Sequence, residues 1–212
     1  MAIFLSTAYL APIQYYSKLL HAGSDSVCID QWENYQKQSY RNRCTILSAN
    51  GAIPLSIPIE RTETLKCVVK DVCIADHANW RHVHWNALVS AYNTTPFFEY
   101  YRDDFQPFYE KKIKYLIDYN QQMQSLICNL IGIDCHNIMY TESYQDVSSA
   151  EEFDFRNTIH PKKEWNSDVD FVSIPYYQVF EDRFGFIPNL SIVDLLFNMG
   201  NESMIVLNKT IR

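Results

Sequence analysis

Residues 3–30 read IFLSTAYLAPIQYYSKLLHAGSDSVCID, and this stretch determines the class of fold. An apolar run at 3–8 predicts a first strand. After Pro12, which suits the first turn of a helix, apolar side chains recur at helical spacing up to Gly23, a residue typical of helix ends. Residues 27–29 predict a second strand. Strand, helix and strand in this order form the basic unit of a parallel sheet, so the opening predicts an α/β protein.

The remaining sequence predicts further strands and helices around this unit. Asn50-Gly51 is typical of a tight hairpin turn, and residues 53–59 beyond it alternate between apolar and polar, with prolines that favour a sheet edge. Residues 144–170 are acidic and polar, which predicts a surface excursion. The other predicted elements are strands from Cys44 and at 67–74, 138–140 and 171–174, and helices beginning at Asn79, Thr95, Asp118 and Ser191, the last closed by Gly200.

Together these patterns predict an α/β fold with a Rossmann-like strand–helix–strand opening, a mixed sheet, a β-hairpin and several covering helices. The sequence shows no internal repeat and no linker, so we expect one domain over residues 1–212. A chain of this length is long enough to build one substantial core.

The composition excludes some classes of protein. The net charge of −7 argues against a general nucleic-acid binder, which would normally be basic. No segment approaches the roughly 18 uncharged apolar residues of a membrane span, and the apolar start lacks the basic region of a signal peptide. We therefore expect a cytoplasmic protein without membrane insertion. The six cysteines form no CxxC pair and are interpreted as reduced, buried side chains.

A polar loop with three basic side chains follows the second predicted strand. Lys37, Arg41 and Arg43 lie within seven residues, and no acid falls between 36 and 43. In open α/β sheets ligands bind beyond the carboxyl ends of the strands, and arginine holds phosphate or carboxylate through paired hydrogen bonds. The loop therefore predicts a pocket for an anionic ligand. The alternative is a solvated loop whose arginines pair with surface acids.

Three histidines fall within residues 77–84 and raise the question of a metal site. His82 and His84 are two positions apart, so they diverge on a helix, and no metal site is predicted. Helical spacing instead places Arg81 and His84 on one face, with Trp80 on the opposite, core-facing side. Arg81 or His84 then lies near the basic loop, with a structural role for His84 as the alternative.

Motifs for common cofactors are missing from the sequence. The five glycines are isolated, so the chain has no glycine-rich phosphate loop, dinucleotide fingerprint or nucleophile elbow. A bound nucleotide would have to be held by side chains and helix ends. The residues identify no cofactor.

Several motifs resemble the bacterial WbqC-like family over nearly the whole chain. The matching residues are Tyr9–Tyr15 (YLAPIQY), Asp30-Gln31, Tyr35–Arg43 (YQKQSYRNR), Asn50-Gly51, Leu55–Ile59 (LSIPI), Trp80-Arg81, Ser90–Tyr92 and Leu190–Asn198 (LSIVDLLFN). Some members of that family lie among genes for surface polysaccharide, notably O-antigen, so the resemblance implies a role in building such sugars. Many members carry a Ser-Gly segment in the C-terminal half, whereas residues 157–163 here contain no glycine.

The leading functional hypothesis is a transferase acting on a phosphate-bearing, activated small molecule such as a nucleotide-linked sugar. The basic trio of the loop would hold the anionic part, and Asp30 or His84 would serve as general base. The predicted ligands of the polar part are Tyr9, Gln14, Asp30 and Asn34, and Arg81 is a further predicted substrate ligand.

Two alternatives stay open. One is a nucleotidyltransferase or ligase-like enzyme, although Gln14-Tyr15-Tyr16 does not supply the paired histidines usual in its first helix turn. The other is a non-enzymatic binding or scaffold protein, with the aromatic residues after Thr95 as a contact surface. The sequence does not determine whether the chain forms a homo-oligomer.

Overall fold

A computed structural model of the chain describes residues 2–23, 25–61, 67–147 and 152–211. It contains the predicted opening, in which β1 (Ala2–Leu5), α1 (Ile13–His21) and β2 (Ser26–Ile29) follow one another and the two strands pair in parallel. The other strands are β3 (Arg43–Ser48), β4 (Gly51–Ser56), β5 (Ile138–Tyr140) and β6 (Glu152–Asp154). The other helices are α2 (Trp80–Tyr92), α3 (Phe98–Glu110), α4 (Leu116–Ile131), α5 (Glu181–Phe184), α6 (Ile192–Met199) and α7 (Ser203–Asn208).

The α/β architecture is confirmed, but the parallel and antiparallel strands lie in separate sheets. Strands β5, β2, β1 and β6 form a four-stranded sheet in that order, and all of its pairings are parallel. Strands β3 and β4 form an antiparallel two-stranded sheet. Asn50-Gly51 makes the predicted turn between them, where Gly51 has φ +105°, a conformation that glycine adopts without steric cost.

Two predicted strands are wrong. Residues 67–74 contain a 3₁₀ helix, Val69–Asp71, and only isolated bridges, such as Cys73 with Tyr115. Residues 171–174 form one bridge, between Phe171 and Ile211. Both stretches place apolar side chains in the core without pairing as strands. The spacing of apolar residues alone does not distinguish such a stretch from a strand.

The stretch at 144–170, predicted to be a surface excursion, contains a strand that was not predicted. Residues 152–154 form β6, which pairs with β1 at the edge of the parallel sheet, and Arg156 just beyond is 4% exposed. The part of this excursion at 148–151 lies outside the described residues. The polar composition reflects a short edge strand and a buried ion pair rather than a wholly solvated loop.

The predicted C-terminal helix is present as α6, but two details differ. The side chains of Ser191 and Asp194 form no capping box, because the Ser191 hydroxyl donates to the Leu10 carbonyl and Asp194 accepts from buried tyrosines. The chain also continues beyond Gly200 into α7, which was not predicted.

Aromatic packing holds α2, α3 and α6 together. The Phe197 ring of α6 lies 5.2 Å from Tyr92, 5.1 Å from Phe98 and 5.2 Å from Phe105 between ring centroids. Edge-to-face contacts of this kind stabilise a core beyond simple burial. They fix α2 and α3 side by side, and the cavity described below lies between these two helices.

Candidate functional site

The carboxyl edge of the parallel sheet, where a ligand was expected, is occupied by a buried ion pair. Asp30 follows β2 and is fully buried; one carboxylate oxygen accepts from the Thr141 hydroxyl at 3.1 Å, and the other pairs with Arg156. Arg156 also donates two parallel hydrogen bonds to Asp154, at 2.9 and 2.7 Å. Asp30 therefore has both oxygens engaged within the protein.

The central arginine of the basic loop is also paired internally. Arg41 is 2% exposed and donates through Nε and Nη2 to the two oxygens of Glu33, at 2.8 and 2.5 Å. Burial raises the pKa of Glu33, and the Arg41 guanidinium opposes that shift. The acid lies outside the acid-free span between residues 36 and 43, which is why the sequence did not identify the pair.

The other predicted ligands near this edge are dispersed. Gln14 is buried and donates to Asp168 at 2.8 Å. The Nε atom of Arg43 donates to Ser56 across the hairpin at 3.0 Å, and Asn34 and Lys37 are exposed. As substrate ligands these residues stay predictions, because the structure shows no bound molecule beside them.

The cavity at this edge is small. It is lined in part by Ser6, Thr7 and Arg41 and has a volume of about 10 Å³. A cavity of that size holds about one water molecule. A substrate the size of a nucleotide does not fit there without a rearrangement of the loops.

A much larger cleft lies between α2 and α3, with a volume of about 520 Å³. This is within the range of roughly 300–1,000 Å³ typical of small-molecule sites. Its lining combines charged, amide and aromatic side chains. The lining residues are Asp76, Asn79, Trp80, Arg81, His82, Trp85, Gln106, Tyr109, Glu110 and Lys112.

The charged residues of the cleft form a small network. Asp76 accepts from Arg81 Nη1 at 2.6 Å and also pairs with Lys112. These two cations lower the pKa of the Asp76 carboxyl. Glu110 accepts from the Gln106 amide at 2.5 Å, and it forms no ion pair with any cation in the described part of the chain. The cleft thus offers two cations and two carboxylates.

Aromatic rings form an apolar part of the cleft lining. The Trp85 and Tyr109 rings stack with centroids 5.5 Å apart and an angle of 28° between their planes. Trp80 is 4% exposed, and within the described ranges its Nε1 has no hydrogen-bond acceptor. Stacked rings of this kind present a flat apolar face on which a ligand ring can pack.

A buried hydrogen-bond chain lies behind Tyr109. The Tyr9 hydroxyl contacts the Tyr109 hydroxyl and His84 Nδ1, each at 3.0 Å. Burial lowers the pKa of His84 to about 4, opposed by a hydrogen bond with the backbone of Ser56, so the imidazole is neutral at pH 7. Tyr9 and His84, both predicted site residues, therefore meet close to the cleft and hold Tyr109 in place.

The predicted helix faces of α2 require one correction. His84 shares the buried face with Trp80, whose ring centroid is 5.1 Å away, instead of lying opposite to it. The two residues are four positions apart, so helical geometry places them on the same side. Arg81 lies on the neighbouring, partly exposed side and does reach the cleft.

Sequence reasoning missed the residues that α3 and its C-terminal flank contribute. They are Gln106, Tyr109, Glu110 and Lys112. The aromatic residues after Thr95 were interpreted above as a contact surface of a binding protein, and burial in the core explains most of them equally well. Only the pairing of α3 with α2 brings these side chains to Arg81, and no local pattern encodes that pairing.

No group of three or more His, Cys, Asp or Glu within the described ranges is arranged to hold a metal ion. His82 contacts Asn86 at 2.8 Å and His84 contacts Tyr9, so these two histidines diverge. None of the described helices combines the length and the apolar character needed to cross a membrane.

The fold and the cleft define an α/β protein with a parallel sheet and a ligand-sized cavity between two helices. The chain belongs to the WbqC-like protein family, which matches residues 7–163 and so includes every residue of the cleft. It is similar to the uncharacterized protein Rv1507c of Mycobacterium tuberculosis (strain ATCC 25618 / H37Rv), with 25% identity over an alignment 193 residues long; 80% of this chain and 81% of that protein are covered. No solved structure matches the chain.

Proposed function

We propose that this chain is a transferase-type enzyme of bacterial surface-polysaccharide synthesis that acts on a phosphate-bearing activated substrate, such as a nucleotide-linked sugar. One observation carries the proposal: the cleft between α2 and α3 combines two cations with two stacked aromatic rings in one cavity of about 520 Å³. The family membership supports it, because some members lie among genes for such polysaccharides.

The cleft supplies complementary groups for the two parts of such a substrate. Arg81 and Lys112 suit the phosphates, because guanidinium and ammonium groups form charge-assisted hydrogen bonds with phosphate oxygens. Trp85 suits the sugar or base, whose flat face packs on an aromatic ring, and Tyr109, which is 6% exposed and stacks on Trp85, supports that ring from behind.

A transfer reaction in this cleft needs a base for the acceptor hydroxyl. Glu110 suits this role, because it is an exposed carboxylate at the cleft. The acceptor oxygen would lose its proton to Glu110 and attack the activated carbon, and the bond from that carbon to the phosphate oxygen would break. Arg81 and Lys112 would stabilise the negative charge that develops on the leaving phosphate. The hydrogen bonds of His84 suit a positioning role better than proton transfer, and Asp30 as a base stays a prediction.

A thermal-shift screen of nucleotide-sugars tests the proposal. A ligand at a hundred times its dissociation constant adds about 2.7 kcal/mol, which raises the Tm of a chain of this size by about 5–10 °C. We expect Arg81→Ala and Trp85→Leu to remove the shift. Arg102→Ala, which removes an exposed arginine of α3 outside the cleft lining, is the matched control and should keep it.

Turnover separates binding from catalysis. With a ligand from the screen and a sugar acceptor, Glu110→Gln should keep the thermal shift but reduce release of the nucleoside diphosphate by about 10²–10⁴-fold. The proposal fails if no nucleotide-sugar raises the Tm of folded protein, or if both cleft variants keep the full shift. Release of pyrophosphate would indicate nucleotidyltransferase chemistry in its place.

A further inference from the structure

One carboxylate of the cleft, that of Asp76, is paired with both of the cleft's cations. Asp76 lies against both cations of the cleft: it accepts from Arg81 Nη1 at 2.6 Å and pairs with Lys112. Its side chain is 49% exposed and that of Lys112 is 77% exposed. The pair with Lys112 is therefore open to water and weak enough to exchange with another anion, whereas Arg81, whose side chain is 11% exposed, is reached by water mainly from the Asp76 side.

The backbone that leads from Asp76 into α2 adopts an uncommon conformation. Ala78 and Asn79, two consecutive residues other than glycine, have φ of +61° and +49°. The left-handed region is unfavourable for an alanine, and residues held there are concentrated in ligand-binding and switch segments. Asn79 also makes no side-chain cap to α2.

The groups that Asp76 engages are the same groups that suit a substrate phosphate. Carboxylate and phosphate oxygens accept the same charge-assisted hydrogen bonds from arginine and lysine. In addition, α2 begins at Trp80, so the unpaired N–H groups of its first turn add partial positive charge next to Arg81.

We propose that Asp76 is a built-in competitor for the anionic part of the ligand, and that a phosphate group entering the cleft displaces it from Arg81 and Lys112. The inference rests on the proposed function only in placing a phosphate-bearing ligand in this cleft. Removal of one negative charge from the cleft should therefore strengthen anion binding.

Calorimetric titration of inorganic pyrophosphate tests this directly, because pyrophosphate contains neither a sugar nor a base. Asp76→Asn keeps the shape of the side chain and removes its charge. We expect it to bind pyrophosphate about three- to tenfold more tightly than the natural chain, the range that corresponds to the loss of one or two exposed ion pairs. Arg81→Ala should weaken binding at least tenfold.

The control is Asp170→Asn, which changes the net charge by the same amount at an exposed position outside the cleft and should leave the affinity unchanged. Thermal unfolding verifies that each variant is folded.

Unchanged or weaker binding by folded Asp76→Asn overturns the inference, and so does an absence of pyrophosphate binding in both proteins. Tightening without any nucleotide-sugar binding supports the inference and rejects the proposed function. If nucleotide-sugars bind and Asp76→Asn does not tighten their binding, the proposed function is supported and the inference is rejected.

Discussion

Two buried titratable residues, His84 and Asp194, have pKa shifts of opposite direction. Burial lowers the pKa of His84 to about 4. Burial also raises the pKa of Asp194 to about 6, although Tyr176 and Tyr92 donate hydrogen bonds that oppose the shift. Each residue is uncharged more readily in the folded chain than in the unfolded one, because its charged form loses hydration on burial.

The two shifts affect stability in opposite directions over nearly the same pH range. His84 contributes stability that is present above pH 6.5, its unfolded pKa, and is lost as the pH falls towards 4. Asp194 contributes stability that is present below its unfolded pKa of 3.8 and is lost as the pH rises through about 6. The two contributions therefore largely cancel in the natural chain.

Removal of His84 should reveal this compensation. Relative to the natural chain, His84→Gln should gain stability as the pH falls from 6.5 to 4.5, by on the order of 2 kcal/mol. Urea unfolding at the two pH values measures the difference. His136→Gln, which removes a histidine that is 97% exposed, is the control. Equal pH dependence in both variants would contradict the assigned burial effect.

Strand β6 is held at the edge of the parallel sheet by the side chain of Arg156, which lies just beyond it. The strand has three residues, and Arg156, two residues beyond its end, links Asp154 to the buried Asp30 that follows β2. Asp30 has no other cation partner in the described ranges. Loss of Arg156 would leave a buried carboxylate unpaired at the carboxyl edge of the sheet.

We expect Arg156→Met to lower the unfolding free energy by about 3–5 kcal/mol, the usual penalty for breaking a buried ion pair from one side. Arg102→Met, at an exposed position of α3, should change it by less than about 0.5 kcal/mol. Adding Asp30→Asn to Arg156→Met should restore part of the loss. A single variant as stable as the control would show that the pair does not stabilise the sheet edge.

The junction after α6 depends on a glycine. Gly200 has φ +54°, and a Cβ there would lie 2.6 Å from the Phe97 ring, so that any side chain displaces the segment before α3. Gly200→Ala should therefore lose more stability than Gly185→Ala, which shares a positive φ of +69° but has open space around it. The difference in unfolding free energy should be about 1–3 kcal/mol. Equal losses would show that backbone strain alone accounts for both.

At the scale of the whole molecule, local patterns predicted elements better than their assembly. The opening unit, the hairpin turn at Asn50-Gly51 and the helix closed by Gly132 follow from turn residues and periodicity, and all are present. Strand β6 was not predicted, because a short polar strand beside β1 has no local signal. The 3₁₀ helix at Val69 was mistaken for a strand for a related reason, since apolar content does not specify repeating hydrogen bonds.

The candidate site was likewise predicted only where residue type alone was informative. Arg81, Tyr9 and His84 were identified from residue type, and they lie in or directly behind the cleft. The pairing of Arg41 with Glu33 and the contribution of Tyr109 and its neighbours were not foreseen, because they depend on tertiary contacts. Residue chemistry thus indicated which side chains suit a polar ligand, and packing determined which of them line the cleft and which are engaged inside the protein.

The pairing of β1 with β6 has a consequence for biosynthesis. Ala2 lies opposite Glu152, so the first strand leaves the ribosome about 150 residues before the partner on one of its sides. At ordinary rates of translation this interval lasts roughly 10–30 s. During that time the apolar edge of β1 can pair with other nascent chains, a common route to aggregation. Yield in the cell should therefore depend on chaperones that shield the first part of the chain until β6 has been synthesised.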